Sequence, residues 1–280
     1  MQRFRLGVDL GGTKIEAAAL DAAGTIVQRQ RIATPAGQYD ATIEAIAQLV
    51  QHIERDLGER GSVGIATPGA RSLVDGRMKN ANSVVLNGRP LKEDLERRLD
   101  REIRMANDAN CFALSEAIDG AARGASVVFG VILGTGVGGG IVIDGRIVTG
   151  ANAIAGEWGH NPLPLPGAED LPLRECYCGR RGCVETYLSG PALAWEEARS
   201  AGAMDRYIRR LARALAGVIN IVDPDVIVLG GGVSNIERLY RDVLPSCKDY
   251  VFSDDVRTRI VAPAYGDSSG VRGAAWLWNR

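Results

Sequence analysis

Two glycine-rich turns hold the residue types best suited to grip phosphate. Gly11-Gly12-Thr13-Lys14 follows an apolar run ending in Asp9-Leu10, and Gly134-Thr135-Gly136 follows the apolar run 129–133. Glycines in such turns take positive φ freely and let backbone N–H groups approach phosphate oxygens with no Cβ in the way. Asp9, just ahead of the first turn, can orient Mg2+ or its waters. After each turn come a second apolar run (15–20 and 140–143), an acidic turn (21–24 and 144–145) and a third short run (25–27 and 146–148). The repetition predicts two β-hairpins, one opening each half of a duplicated chain, that hold a phosphate chain from both sides. Such an arrangement suits nucleotide-dependent phosphoryl transfer.

Residues 134–139 also satisfy G-x-G-x-x-G, with Glu157 downstream near the spacing of a ribose-binding acid. That fingerprint needs a helix directly after its glycines. Here 140–148 reads as two short strands around Asp144-Gly145, so the hairpin is the expectation. The sequence has no Walker-type G-x-x-x-x-G-K-[ST].

Asn107-Asp108 closes the apolar run 103–106 and precedes a helical stretch over 110–121. A carboxylate there can take the proton of an acceptor hydroxyl held in line with a γ-phosphoryl group, or it can be a plain helix cap. Further on, Gly156-Glu157-Trp158-Gly159-His160 precedes Cys176-Tyr-Cys178-Gly-Arg-Arg-Gly-Cys183. One histidine and three cysteines make a complete tetrahedral zinc set, and closed four-ligand sites are structural. Glu157 and Glu185 flank the cluster. They can accept hydrogen bonds from polyol hydroxyls, or serve only in surface salt bridges.

The elements that must position these groups emerge from periodicity. Ile43, Ile46, Val50, Ile53 and Leu57 give one apolar helix face, with His52 beside it in a structural role. The run 62–66 reads as a buried strand stopped by Thr67-Pro68-Gly69, at the strand end where open α/β sheets bind ligands. Leu91–Leu99 is a short charged helix. In the second half, a proline-rich loop (162–172) leads to the cysteines. Ile208, Leu211, Leu215, Val218 and Val222 then mark a helix, and the strand 226–229 ends in Gly230-Gly231-Gly232. Another helix spans about 236–244. The last segment, 269–278, is expected to be a helix that crosses back onto the first domain.

Composition excludes several classes. The 280 residues are 46% hydrophobic and 24% charged, enough for two modest cores. Lys+Arg 33 against Asp+Glu 34 leaves a net charge of −1, with no footprint for nucleic acid or an anionic membrane. The doublets Arg97-Arg98 and Arg180-Arg181 read as solvated surface. No apolar run approaches the ~18 residues of a membrane span and no leader is recognisable, so a cytoplasmic location is expected. The odd cysteine count, 5, argues against a disulfide framework.

Taken together, these motifs resemble the ROK family of bacterial sugar kinases and repressors. The likeness runs nearly end to end and is most specific at the Cys/His cluster. It implies an α/β fold: a two-domain actin-like ATPase (ribonuclease H-like) with duplicated β-hairpin phosphate loops and a central cleft. The implied domains are 1–118 with a C-terminal helix at 269–280, and 119–268 carrying the zinc site. The resemblance implies Asp108 as catalytic base and a sugar contacted by Gly69, Asn82, Asn107, Asp108, Glu157, His160 and Glu185. It places ATP with Mg2+ at Asp9, Gly11, Gly12, Thr13, Lys14, Gly134, Thr135, Gly136 and Gly230, Gly231 and Gly232. Structural zinc falls to His160, Cys176, Cys178 and Cys183, and a homodimer is implied. Within the family, Lys79-Asn-Ala-Asn-Ser83, Leu86-Asn-Gly88, 156–164 and 266–277 look closest to bacterial fructokinases, with mannose as a further acceptor. N-acetylglucosamine kinases and glucokinases are the near alternatives, and a non-catalytic sugar-sensing regulator is the rival of another class. The stretch between Gly190 and Ala203 is shorter than is usual for relatives, which bears on the helical cover of the second domain. The family's repressors carry an N-terminal DNA-binding helical domain, whereas this sequence opens directly on its first strand.

Overall fold

The computed structural model describes residues 4–279. Residues 1–3 and 280, where the expected domain bounds begin and end, lie outside it. The first half is a five-stranded sheet. Strands β1 (Phe4–Leu10), β2 (Lys14–Asp21) and β3 (Ile26–Ala33) form the expected meander, succeeded by α1 (Tyr39–Leu57) and β4 (Ser62–Thr67). A small hairpin of β5 (Ala70–Arg71) and β6 (Met78–Lys79), then α2 (Leu91–Leu99), lead to β7 (Ile103–Asn107) and α3 (Asp108–Ile118). The second half repeats the plan with β8 (Val127–Leu133), β9 (Val137–Ile143) and β10 (Arg146–Ile147). A long loop, α4 (Glu185–Leu188), α5 (Gly190–Glu197) and α6 (Ala203–Val222) come next. The half ends with β11 (Val226–Gly230), α7 (Arg238–Cys247) and β12 (Arg259–Val261), and α8 (Ser269–Trp276) closes the fold.

Strand order proves the duplication. The sheets run β3-β2-β1-β4-β7 and β10-β9-β8-β11-β12, each with antiparallel hairpins on one side and parallel neighbours on the other. The closing pairs Leu10↔Ile15 and Leu133↔Val137 put both glycine turns at equivalent places. Gly136 leads directly into strand β9, so the dinucleotide fingerprint at 134–139 is a hairpin.

Helix α1 buries Ile43, Ile46, Val50 and Ile53 against the first sheet and stops at Gly58, whose φ of 73° accommodates the left-handed cap. His52 is part-buried at the edge of that face, 3.5 Å from the Asp56 carboxylate. Helix α6 packs Tyr207, Leu211, Leu215 and Ile219 onto the second sheet. Between the sheets lie α3 and α8, whose Phe112, Ala113, Val271, Ala275 and Trp276 share a core with Leu20, Val128 and Val228. Glycine makes that layer thin. A methyl group at Gly7 would lie 1.8 Å from the Val271 carbonyl oxygen, and one at Gly64 1.8 Å from that of Ala274. The final helix thus rests on the backbone of the first sheet, as its expected return implied.

The shortened stretch after Gly190 still folds as a helix, α5. Its Glu196 joins a buried ion network: Arg210 meets Asp170 at 2.6 Å and Glu196 at 2.5 Å, and Arg213 meets Asp170 at 2.8 Å. Arg174 also pairs with Glu196. Removing one partner from such a network leaves an uncompensated buried charge costing about 3–5 kcal/mol, so it fixes the proline-rich loop to α5 and α6. Among the described residues, no helix is long and apolar enough to cross a membrane.

Candidate active site

Asp108 is the first residue of α3, yet it does not cap that helix. Asn107 does, its Oδ1 accepting from the Asn110 N–H at 2.8 Å. Asp108 is thereby free of the bland role open to it in the sequence. Its Oδ1 accepts from its neighbour Ala109 N–H at 2.8 Å, and the residue is exposed between Asn107 and Asn110, which line a cavity. Protein nonetheless surrounds it on most sides. Desolvation raises its carboxyl above the usual range, the Ala109 N–H pulls it back in part, and Glu157 pushes it up again. Asp108 and Glu157 belong to different halves, so their mutual influence marks a site shared by both.

Asp9, at the end of β1, lies in the same field. Burial, then the negative charges of Asp108 and Glu16, push its carboxyl up to about 6, against partial relief from Lys14 and Arg31. Glu16 is clasped by Arg29 at 2.5 Å and Arg31 at 2.5 Å. Carboxylates crowded beside an anion-binding turn are a setting that a divalent cation relieves, and the residues here fit Mg2+ brought with a nucleotide.

The two turns are built alike. The Gly11 N–H bonds the Lys14 carbonyl at 3.0 Å, and the Gly134 N–H bonds that of Gly136 at 3.0 Å. Among the described residues, the amides of Gly12, Thr13, Thr135 and Gly136 take no backbone partner, which leaves them available to an anion. The Gly190 N–H braces the second turn through the Gly134 carbonyl at 2.8 Å. Gly231 has φ 82°, and a methyl group there would lie 2.4 Å from the Leu133 carbonyl oxygen, whereas one at Gly232 would meet nothing within 4 Å. Gly232 therefore faces open space where a ligand can approach.

A cavity of about 480 Å3 is lined from both halves, by Thr67, Gly69, Asn107 and Asn110 on one side and Thr149 and Glu157 on the other. Of the expected acceptor contacts, Gly69, Asn107 and Glu157 line it. Gly69, at φ 72°, packs against Ala81, and Asn82 is exposed in the adjoining loop. The Asn87 side chain fixes this loop by pairing with both the N–H and the carbonyl of Ala81 at 2.9 and 3.0 Å. Asn82, Asp108, His160 and Glu185 are not in the cavity lining; Glu185 Oε2 accepts from the Val137 N–H at 2.9 Å, at the foot of the second turn.

His160, Cys176, Cys178 and Cys183 converge, with their ligand atoms all within 4.8 Å of one another. Two sulfurs on one tetrahedral Zn2+ are separated by about 3.8 Å and a sulfur–nitrogen pair by about 3.6 Å. Cys178 and Cys183 Sγ are 3.7 Å apart, and Cys176 Sγ is 3.6 Å from His160 Nδ1. Arg180, hydrogen-bonded to Cys178, holds that thiol down at about 6, which favours the thiolate a metal needs. The donor set and its spacing fit zinc.

Two residues here escaped sequence reasoning. The Oδ1 of Asn110 is buried without a hydrogen-bond partner. The Tyr177 hydroxyl sits 3.0 Å from His160 Nε2. Tyr177 had one signal, its place between two cysteine ligands; Asn110 had none.

Comparison with known proteins agrees with this architecture. The model of the ROK family matches residues 5–280. An N-acetyl-D-glucosamine kinase of Escherichia coli O127:H6 is 41% identical, over 97% of this chain and 98% of its own length. The ROK hexokinase of Thermus thermophilus superposes with a TM-score of 0.84 at 30% identity, covering 98% of this chain and 97% of its own. A ROK family glucokinase of Streptomyces griseus, solved with glucose and AMPPNP, gives 0.77 at 28% identity, covering 98% of both chains. With its duplicated sheets, paired glycine turns and shared cleft, the chain belongs to the ROK family and is one of its sugar kinases.

Proposed function

We propose that this protein transfers the γ-phosphoryl group of ATP to the 6-hydroxyl of N-acetyl-D-glucosamine. The observation that carries the reading is Asp108: a carboxylate that does not cap its helix, flanked by Asn107 and Asn110 of a cavity lined by both halves, with its affinity for a proton raised. A base held closer to neutrality accepts a proton more readily in the transition state. Asn107, committed through Oδ1 to the helix end, keeps its amide N–H groups for acceptor hydroxyls.

In this mechanism the turn amides of Gly12, Thr13, Thr135 and Gly136 hold the phosphates, with Lys14 beside the first turn and Gly230, Gly231 and Gly232 near the adenosine. Asp9 orients the cation that accompanies ATP and neutralises charge on the phosphates. The sugar rests against Gly69, Asn82, Asn107, Glu157, His160 and Glu185, in line with the γ-phosphorus, and its proton passes to an oxygen of Asp108. Phosphoryl transfer is loose, so most of the rate comes from positioning. Zinc on His160, Cys176, Cys178 and Cys183 supports the loop without entering the chemistry. A homodimer remains part of the proposal.

The acceptor differs from the fructose expected from the motif text. The enterobacterial relative named for N-acetyl-D-glucosamine supports that sugar. So does the cavity wall, where Leu73, Met78, Ile147 and Ile154 offer apolar surface to an acetamido methyl. ADP release should be measured against N-acetylglucosamine, glucose, mannose and fructose. Highest kcat/KM on N-acetylglucosamine is expected. A preference for fructose restores the first expectation, and no turnover on any of them overturns the kinase reading in favour of a sensor.

A further inference from the structure

Tyr177, between two cysteines of the cluster, is neither a metal ligand nor part of the proposed chemistry. Its hydroxyl is 3.0 Å from His160 Nε2, and the two rings meet edge to face with centroids 5.2 Å apart at 82°. His160 Nδ1 faces Cys176 Sγ and so belongs to the metal side. With Nδ1 committed as a ligand, the imidazole has a single donor left, the Nε2–H. The phenol oxygen, 3.0 Å from Nε2, would then be its acceptor. The Tyr177 ring is 83% exposed, so the edge-to-face contact with His160 is the packing that holds it. The phenol oxygen therefore sits on His160, one of the groups read as acceptor contacts.

We infer that Tyr177 is a displaceable stand-in for a sugar hydroxyl: it occupies the His160 Nε2–H while the site is empty and yields it when a polyol binds. The inference rests on the reading that His160 contacts the sugar. It makes Tyr177 a residue that sets acceptor affinity, because every binding event first breaks one protein hydrogen bond. A net hydrogen bond is worth about 0.5–1.5 kcal/mol, or roughly 2- to 12-fold in affinity. The cysteine ligands on either side fix the backbone, so exchange needs only rotation of the ring.

The test uses the full chain with its zinc and compares wild type with Tyr177→Phe, which keeps the ring and removes the competing oxygen. The expected result is an acceptor KM roughly 2- to 12-fold lower, a matching fall in the calorimetric Kd for the sugar without nucleotide, and kcat within about twofold of wild type. Zinc content, by elemental analysis, should be unchanged. Tyr177→Gly, which removes the whole ring, should also bind sugar more tightly than wild type. If Tyr177→Phe leaves KM and Kd unchanged or raises them, or loses zinc, Tyr177 is a structural or positioning residue and the inference falls while the kinase reading stands. Failure of the wild type to transfer phosphate to any hexose would instead sink the functional reading, and this inference with it.

Discussion

The two sheets share a strand order and a hairpin turn but differ in the charge placed around that turn. In the first half, Asp9 and Glu16 crowd the turn, Asp108 stands nearby, and Asp9 is forced well above its ordinary range. In the second half, the one carboxylate at the turn, Glu185, is satisfied by the Val137 N–H, and the Gly190 N–H braces the loop. Backbone geometry was duplicated and side-chain chemistry was not. The first half carries electrostatic stress that reacting groups relieve, while the second is a settled frame that adds the metal cluster and Glu157.

The largest test of that contrast is the cluster. Structural zinc contributes on the order of 10 kcal/mol to local folding. Cys178→Ser is therefore expected to lose stoichiometric zinc and loosen the loop carrying Glu157 and Glu185. Activity should fall roughly 10- to 100-fold, the cost of losing supporting interactions around a metal site, with the acceptor KM raised while nucleotide affinity at the first turn holds. Equal losses of nucleotide and sugar binding would show that the halves are not separable in this way.

Next comes the base. Asp108→Asn should lower turnover by about 10² to 10⁴-fold with sugar affinity retained by calorimetry. Near-normal turnover would remove Asp108 from that role.

Asp9 sharpens the comparison through pH. Its carboxyl rises from 3.8 to about 6 in the folded chain, so the folded state holds a proton that the unfolded state has released between those values. Its contribution to stability is full below about pH 4 and is lost as pH climbs through about 6. At roughly 1.4 kcal/mol per unit, the cost at neutral pH is on the order of 2–3 kcal/mol. Asp9→Asn should therefore resist denaturant better than wild type at pH 7.5, match it near pH 4, and lack activity. A variant no more stable at pH 7.5 would mean that the crowding around the first turn is not stressful.

The smallest effect belongs to the surface. Arg181 pairs with Glu175 at 2.5 Å with both side chains more than two-thirds exposed. Exposed pairs contribute about 0–1 kcal/mol, so Arg181→Ala should shift the melting midpoint by no more than a degree or two. A large loss there would extend the rigid frame beyond the ion network around Asp170.

Much of this plan was legible from local signals. Glycine turns after apolar runs located both hairpins, and the 3.6-residue pattern located α1 and α6. Leu91–Leu99 was read to the residue. Helix starts were less visible: α3 begins at Asp108 and not near 110 because Asn107 supplies the cap, a choice among adjacent polar residues that only three-dimensional geometry decides. Helix α7 runs from Arg238 to Cys247, starting two residues later and ending three later than the expected 236–244, with Pro245 inside its last turn. Short β12 and the β5–β6 hairpin carry too few residues for a periodic signal. The network of Asp170, Glu196, Arg210 and Arg213 joins residues far apart in sequence, and charged residues inside a core contradict the pattern by which cores are recognised.

The contact of α8 with the first sheet has a consequence for how the polypeptide reaches this state. Strands β1 and β4 emerge early in synthesis, but their flat glycine surface at Gly7 and Gly64 is met by Val271, Ala274, Ala275 and Leu277 at the far end of the chain. Until those residues are available, an apolar sheet lies bare, and joining such distant segments is slow. The earliest part to be made is therefore the last to be sealed, so nascent chains should depend on chaperones for nearly the whole of translation.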